Sequence, residues 1–183
     1  MPGTQPDTQP GGIGLQSLSI DQMQPVLLHA ALDIWRQWCA ERPAPTWRDI
    51  DLAGFPPPLV PMAAVVDVID DGDDFRYRFW GSGLTQLFGR DETGSLLSKH
   101  GNARSSQIRF QQLRQVVGAF QPLAFQTTFE KSHGLLAEKT NLRLPVADQP
   151  GQVTKIISLS LLHRMDMRDY DNLNDHYAQL ADD

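Results

Sequence analysis

Residues 62–80, MAAVVDVIDDGDDFRYRFW, decide how the chain is read. Met62 to Ile69 is a short run rich in valine and isoleucine, Asp70-Asp71-Gly72-Asp73-Asp74 is a turn-forming cluster, and Phe75 to Phe79 alternate aromatic and basic until Trp80 breaks the period. Two such runs around a Gly/Asp turn predict an antiparallel hairpin with one buried face. Side chains alternate along a strand, so Phe75, Tyr77 and Phe79 are expected inward and Arg76 and Arg78 outward.

Working outward, six of the 13 prolines fall between Pro43 and Pro61, a connector too apolar to be a free linker. Ahead of it, Leu27, Ala31, Ile34, Trp35 and Trp38 recur at three- and four-residue spacing, and Ser19 with Gln22 has the form of a capping box. This predicts an amphipathic helix ending near Arg42, where Pro43 and Pro45 cannot continue it. The opening MPGTQPDTQPGGIG has almost nothing to bury, and residues 1–18 are expected to be a disordered tail.

On the other side of the hairpin, the glycines between Gly81 and Gly94 allow only brief helical turns. Helical spacing returns from Ser105 to Phe120 through Phe110, Leu113, Val116 and Val117, and Pro122 ends it. Strands are expected at Leu123 to Glu130, Leu135 to Val146 and Val153 to His163. Paired strands, a helical block and three more strands predict an α+β fold, a five-stranded antiparallel sheet with helices on one face. The domain division is then a tail (1–18), helix and connector (19–61), core (62–165) and an acidic tail (166–183).

The formal net charge is −6, and the stretch from Asp166 holds six aspartates against the single Arg168. Arg104, Arg109 and Arg114 lie five apart and would fan around a helix, so no basic stripe for nucleic acid is expected. No window approaches the roughly 20 apolar residues of a membrane span. The single Cys39 excludes an internal disulfide framework, CxxC zinc knuckles and a covalent CxxCH haem site, and fits a reducing cytoplasm.

His29, His100, His133, His163 and His176 show no ligand spacing, and no metal site is expected. The acidic turn lacks the spacing and terminal glutamate of an EF loop. Glu130, Glu138 and Asp91 are candidate bases, but no nucleophile elbow, phosphate loop or HExxH accompanies them, so no catalytic residue is assigned and the chain is read as a non-enzyme.

The phrase Tyr77-Arg78-Phe79-Trp80-Gly81, followed by Leu87-Phe88-Gly89-Arg90-Asp91-Glu92-Thr93-Gly94, resembles PAS domains. More narrowly, Trp35 and Trp38, the segment Pro45, Arg48, Asp49, Ile50 and Asp51, then Leu59 and Pro61, and Leu144-Pro145-Val146 resemble an alphaproteobacterial single-domain PAS family. The resemblance spans about residues 25 to 165 and implies a stand-alone sensory module that binds a small apolar or aromatic ligand or docks a signalling protein. It places a pocket along Tyr77, Phe79, Leu84, Phe110, Leu113, Phe125 and Leu144. The cofactor is left unknown. Haem-binding relatives carry a histidine on the helix before strand three, where none stands here, and a light-sensor flavin adduct needs a cysteine in the helical block, whereas Cys39 lies on the first helix. The stripe of Leu27, Ala31, Trp35 and Trp38 is expected to form a homodimer interface.

Overall fold

The computed structural model describes residues 14–24, 26–100, 104–130 and 136–162. Six strands form one antiparallel sheet: β1 (Gly14–Leu18), β2 (Ala63–Ile69), β3 (Asp74–Trp80), β4 (Leu123–Glu130), β5 (Leu136–Val146) and β6 (Lys155–Leu162). Their order is β1-β4-β5-β6-β2-β3. The last strand therefore lies between the β4–β5 hairpin and the β2–β3 hairpin, with Leu159 opposite Ala63 and Leu142. Three α-helices accompany the sheet: α1 (Val26–Cys39), α2 (Ser82–Phe88) and α3 (Arg104–Ala119).

The fold class is α+β, as expected, but the sheet has six strands rather than five. Gly14–Leu18 pairs with β4 from Gly14↔Thr128 to Leu18↔Ala124, so the expected tail 1–18 loses its last five residues to the fold. Composition missed this because the pairing is made by the main chain of an otherwise open edge, which can recruit a segment with few apolar side chains. The acidic tail 166–183 lies outside the described residues.

Both faces of the sheet are covered, not one. On β5, the even positions Leu142, Leu144 and Val146 point with Ile157, Leu159, Ala63 and Val65 into a core closed by α1 and the connector. Leu28, Ala31, Leu32, Trp35 and Cys39 form the buried stripe of α1. Trp35 is 4% exposed, and its Nε1 donates to the Pro145 carbonyl at 3.0 Å. The sheet tolerates Pro145 because β4 stops pairing at Arg143 and asks for no amide there. The expected dimer stripe is thus corrected. Ala31 and Trp35 are in the core, while Trp38 is half-buried edge-on to Phe55 (4.9 Å, 67°) and Leu27 is half-buried against the same cluster. The sheet needed a cover for its second face, and the helix supplies it.

The connector is held by its backbone as well as by Ala44, Phe55 and Leu59. Ala147 N donates to Pro45 O (2.9 Å), and Trp47 N donates to the Asp148 carboxylate (2.8 Å). The capping box expected at Ser19 and Gln22 is absent. Ser19 precedes a single 3-10 turn without a side-chain bond, and α1 begins only at Val26.

Replacing Trp35 with Phe leaves the buried Pro145 carbonyl without its donor, an expected loss of about 1–3 kcal/mol, whereas Trp35→Ala should cost about 3–5 kcal/mol. Urea denaturation measures both, and a Phe variant as stable as the parent would show that the hydrogen bond contributes nothing. Removing residues 1–18 should leave the β4 edge open and increase self-association, read by light scattering across a concentration series.

Candidate functional site

The opposite face of the sheet, with α2 and α3, encloses a second core and a cavity. Ile156, Val66, Ala64 and Phe125 from the sheet meet Phe75, Tyr77, Trp80, Leu84, Leu113 and Val116 there. The strand-to-helix corner that places Trp80 and Leu84 depends on Gly81. A Cβ at this position would stand 2.2 Å from the Pro61 carbonyl oxygen, while Gly81 N donates to Ala63 O at 2.8 Å. Only a residue without a side chain permits that approach.

Tyr77, Leu84 and Leu113 line the cavity. Phe110 and Phe125 belong to the surrounding core and not to the lining; Phe110 packs edge-on to Phe75 at 5.3 Å. Phe79 and Leu144 lie on the α1 face, which corrects both assignments. Leu144 follows from the parity of β5. Phe79 follows from a bulge, since Val66 pairs with Tyr77 but Val65 with Phe79. The skipped Arg78 turns Phe79 away and brings Trp80 in, and the trace of the bulge in the alternation is Trp80 standing out of period directly after Phe79.

The sequence reading missed the polar half of the lining: Arg109 on α3, Lys139, Asn141 and Arg143 on β5, Ser158 and Ser160 on β6. The available signal was the odd-numbered positions of β5 facing a run of buried aliphatics. Arg143 is 6% exposed and donates from Nε (3.1 Å) and Nη2 (2.5 Å) to Gln112 Oε1, and from Nη1 to Ser158 Oγ (2.5 Å). Gln112 and Asn141 both donate to Thr127 Oγ1, and Ser160 donates to Asn141 Oδ1 at 2.8 Å. Arg109 Nη1 donates to the Tyr77 hydroxyl at 2.8 Å. The Phe88 ring, 41% exposed, marks the mouth, with the Arg109 guanidinium 5.8 Å and the Lys139 ammonium 5.6 Å from its centroid. Trp80 Nε1 is buried with no hydrogen-bond partner among the described residues.

No carboxylate lines the cavity among the described residues. Burial, reinforced by the charges of Arg109 and Arg143, pushes the Lys139 ammonium down to about 7. Burial likewise lowers Arg143 to about 10, with the Tyr77 oxygen opposing the shift and Arg109 adding to it. The cavity measures about 40 Å³, room for a group of a few heavy atoms.

Asp91 holds the Thr93 turn and Glu138 accepts from Gln126, so neither candidate base reaches the cavity, and the Glu130 side chain lies outside the described residues. Ser95, His100 and Glu92 do meet nearby, but the hydroxyl and the carboxylate both approach His100 Nε2 at 3.0 Å. A catalytic triad needs them on opposite ring nitrogens. Among the described residues no group of His, Cys, Asp and Glu could hold a metal ion, and no helix is long and apolar enough to cross a membrane. Cys39 is buried on α1 behind the sheet from the cavity, and burial raises its thiol to about 11.

No protein-family model and no curated protein matches the chain. Among solved structures it is similar to a light-oxygen-voltage domain studied with a flavin analogue, at 12% identity and TM-score 0.42 over 63% of this chain and 87% of that one. It is also similar to a fungal LOV domain photoreceptor (22% identity, TM-score 0.40, 72% and 90%) and to an RNA-binding light-oxygen-voltage receptor (13%, TM-score 0.40, 94% and 44%). At these scores the likeness is one of general arrangement, and the functional reading rests on the chain's own cavity.

Holding Lys139 at a depressed pKa costs stability wherever the unfolded chain is protonated. The native protein binds fewer protons between about 7 and the ordinary lysine value of 10.5, so stability contributed by this group rises with pH across that window. Lys139→Met should therefore raise the melting temperature at pH 6, with the gain shrinking toward pH 10. A gain independent of pH would mean that the ammonium is not desolvated.

Proposed function

We propose that the chain is a PAS-type sensory module that binds a small ligand between the sheet and α2–α3 and relays occupancy to a signalling protein in the cytoplasm, without chemistry of its own. One observation carries this reading: Arg143, Asn141, Ser158 and Ser160 lie buried on a sheet face that they share with Ala64, Val66, Phe125 and Ile156. Buried polar and charged groups of this kind cost stability relative to aliphatic residues of the same volume, which favours a ligand site over a core retained for packing. The order of hairpin, helical block and three strands, and the Gly81 corner, support the same resemblance that the sequence carries. The modest cavity volume favours, as a second reading, an adaptor that docks a protein through the surface around Phe88.

Native mass spectrometry of freshly purified protein, together with thermal-shift screening of a metabolite extract, tests the proposal. Ala64→Leu fills the cavity without removing a polar partner, at a packing cost of about 1–3 kcal/mol, and Val66→Leu serves if that variant does not fold. A non-covalent adduct or a melting shift in the parent that the filled variant lacks supports the sensor. A bare mass and no shift in the parent overturns it and leaves the adaptor.

A further inference from the structure

We propose that the ligand of this cavity is a small oxyanion, a carboxylate or inorganic oxyanion of about three or four heavy atoms held between Arg109, Arg143 and Lys139 and contacted by Tyr77 and Ser158. The inference rests on the sensory reading above and names its ligand class.

Three cationic side chains line one cavity, and no acidic residue among the described ones shares it. Two of them show where their hydrogen bonds go. A guanidinium has five N–H donors. Arg143 spends three, all on the neutral oxygens of Gln112 and Ser158, leaving one on each terminal nitrogen. Arg109 spends one, on the neutral Tyr77 hydroxyl. Because that hydroxyl accepts from Arg109, its own proton remains available, and the same holds for Ser158, which accepts from Arg143. The open capacity of this lining is thus donor capacity beside positive charge, and its complement is an acceptor-only anion. A neutral apolar ligand would leave the guanidinium of Arg143 buried without a counterion, the arrangement proteins avoid most strongly.

Size narrows the class. About 40 Å³ admits a formate- or nitrate-sized group and excludes a nucleotide or an aromatic acid. Phe88 at the mouth offers its ring face to Arg109 and Lys139, so the two cations remain near the entrance.

The test titrates the full chain with sodium formate, sodium nitrate or sodium phosphate against sodium chloride at matched ionic strength. Melting temperature and amide chemical shifts report binding, and the three arms separate planar from tetrahedral anions. Expected is a saturable rise in melting temperature with at least one oxyanion, absent with chloride, and shifts centred on β5, β6 and α3. Arg109→Gln should weaken the midpoint by about tenfold, which is about 1.4 kcal/mol. Arg114→Gln, whose guanidinium contacts Gly72 and Asp73 outside the cavity, should leave it unchanged. Lys139→Met provides a second cavity variant, expected to fold at least as well as the parent and to bind more weakly. Equal responses to chloride, or midpoints undiminished in both cavity variants, overturn the oxyanion. If an uncharged adduct displaced by Ala64→Leu is found instead, the ligand class fails while the sensory reading stands; if neither is found, both fail.

Discussion

The structure depends on β6 lying between β5 and β2. Without that pairing there are two separate hairpins, one from residues 63–80 and one from 123–146, neither of which could bury a face alone. Joining them aligns Ala64 and Arg143 on either side of Ser158 and so builds the floor of the cavity from β2 and, far later in the chain, the consecutive strands β5 and β6. The closure is non-local and carries its full loop entropy before any contact rewards it. Trp35 and the connector contribute there, because they tie residues 35–61 onto the β5–β6 side of the sheet through Pro145, Ala147 and Asp148.

Once the sheet is covered on both sides, the two faces differ in kind. The α1 face is a packed apolar core. The α2–α3 face holds a connected polar row in which Arg143, Gln112, Thr127, Asn141 and Ser160 satisfy one another. Such a network is expensive, and its cost is concentrated in the buried positive charge of Arg143. Proteins retain uncompensated charge of this kind chiefly where a site is poised for something else, since neutral residues of equal volume would give a more stable domain. The Gln112–Arg143 contact also ties α3 to the sheet.

What the sequence by itself determined was periodic. The β4 boundaries, the α3 helix within a residue, the hairpin turn at Asp70–Gly72 and the antiparallel α+β architecture all follow from alternation, helical spacing and turn residues, which act over a few neighbours. Burial of Tyr77 and Leu113 was legible for the same reason, from strand alternation and helical spacing respectively. The tertiary structure alone decided which of two buried faces each residue joined. Leu144 and Arg143 are adjacent and both buried, and only the register of β5 against β6 sends one to the apolar core and the other to the cavity. A one-residue bulge exchanged Phe79 for Trp80, an open main-chain edge recruited Gly14–Leu18, and the Trp35 stripe went to the sheet instead of a second copy. Each of these outcomes depends on contacts between segments far apart in the chain, which local pattern does not encode.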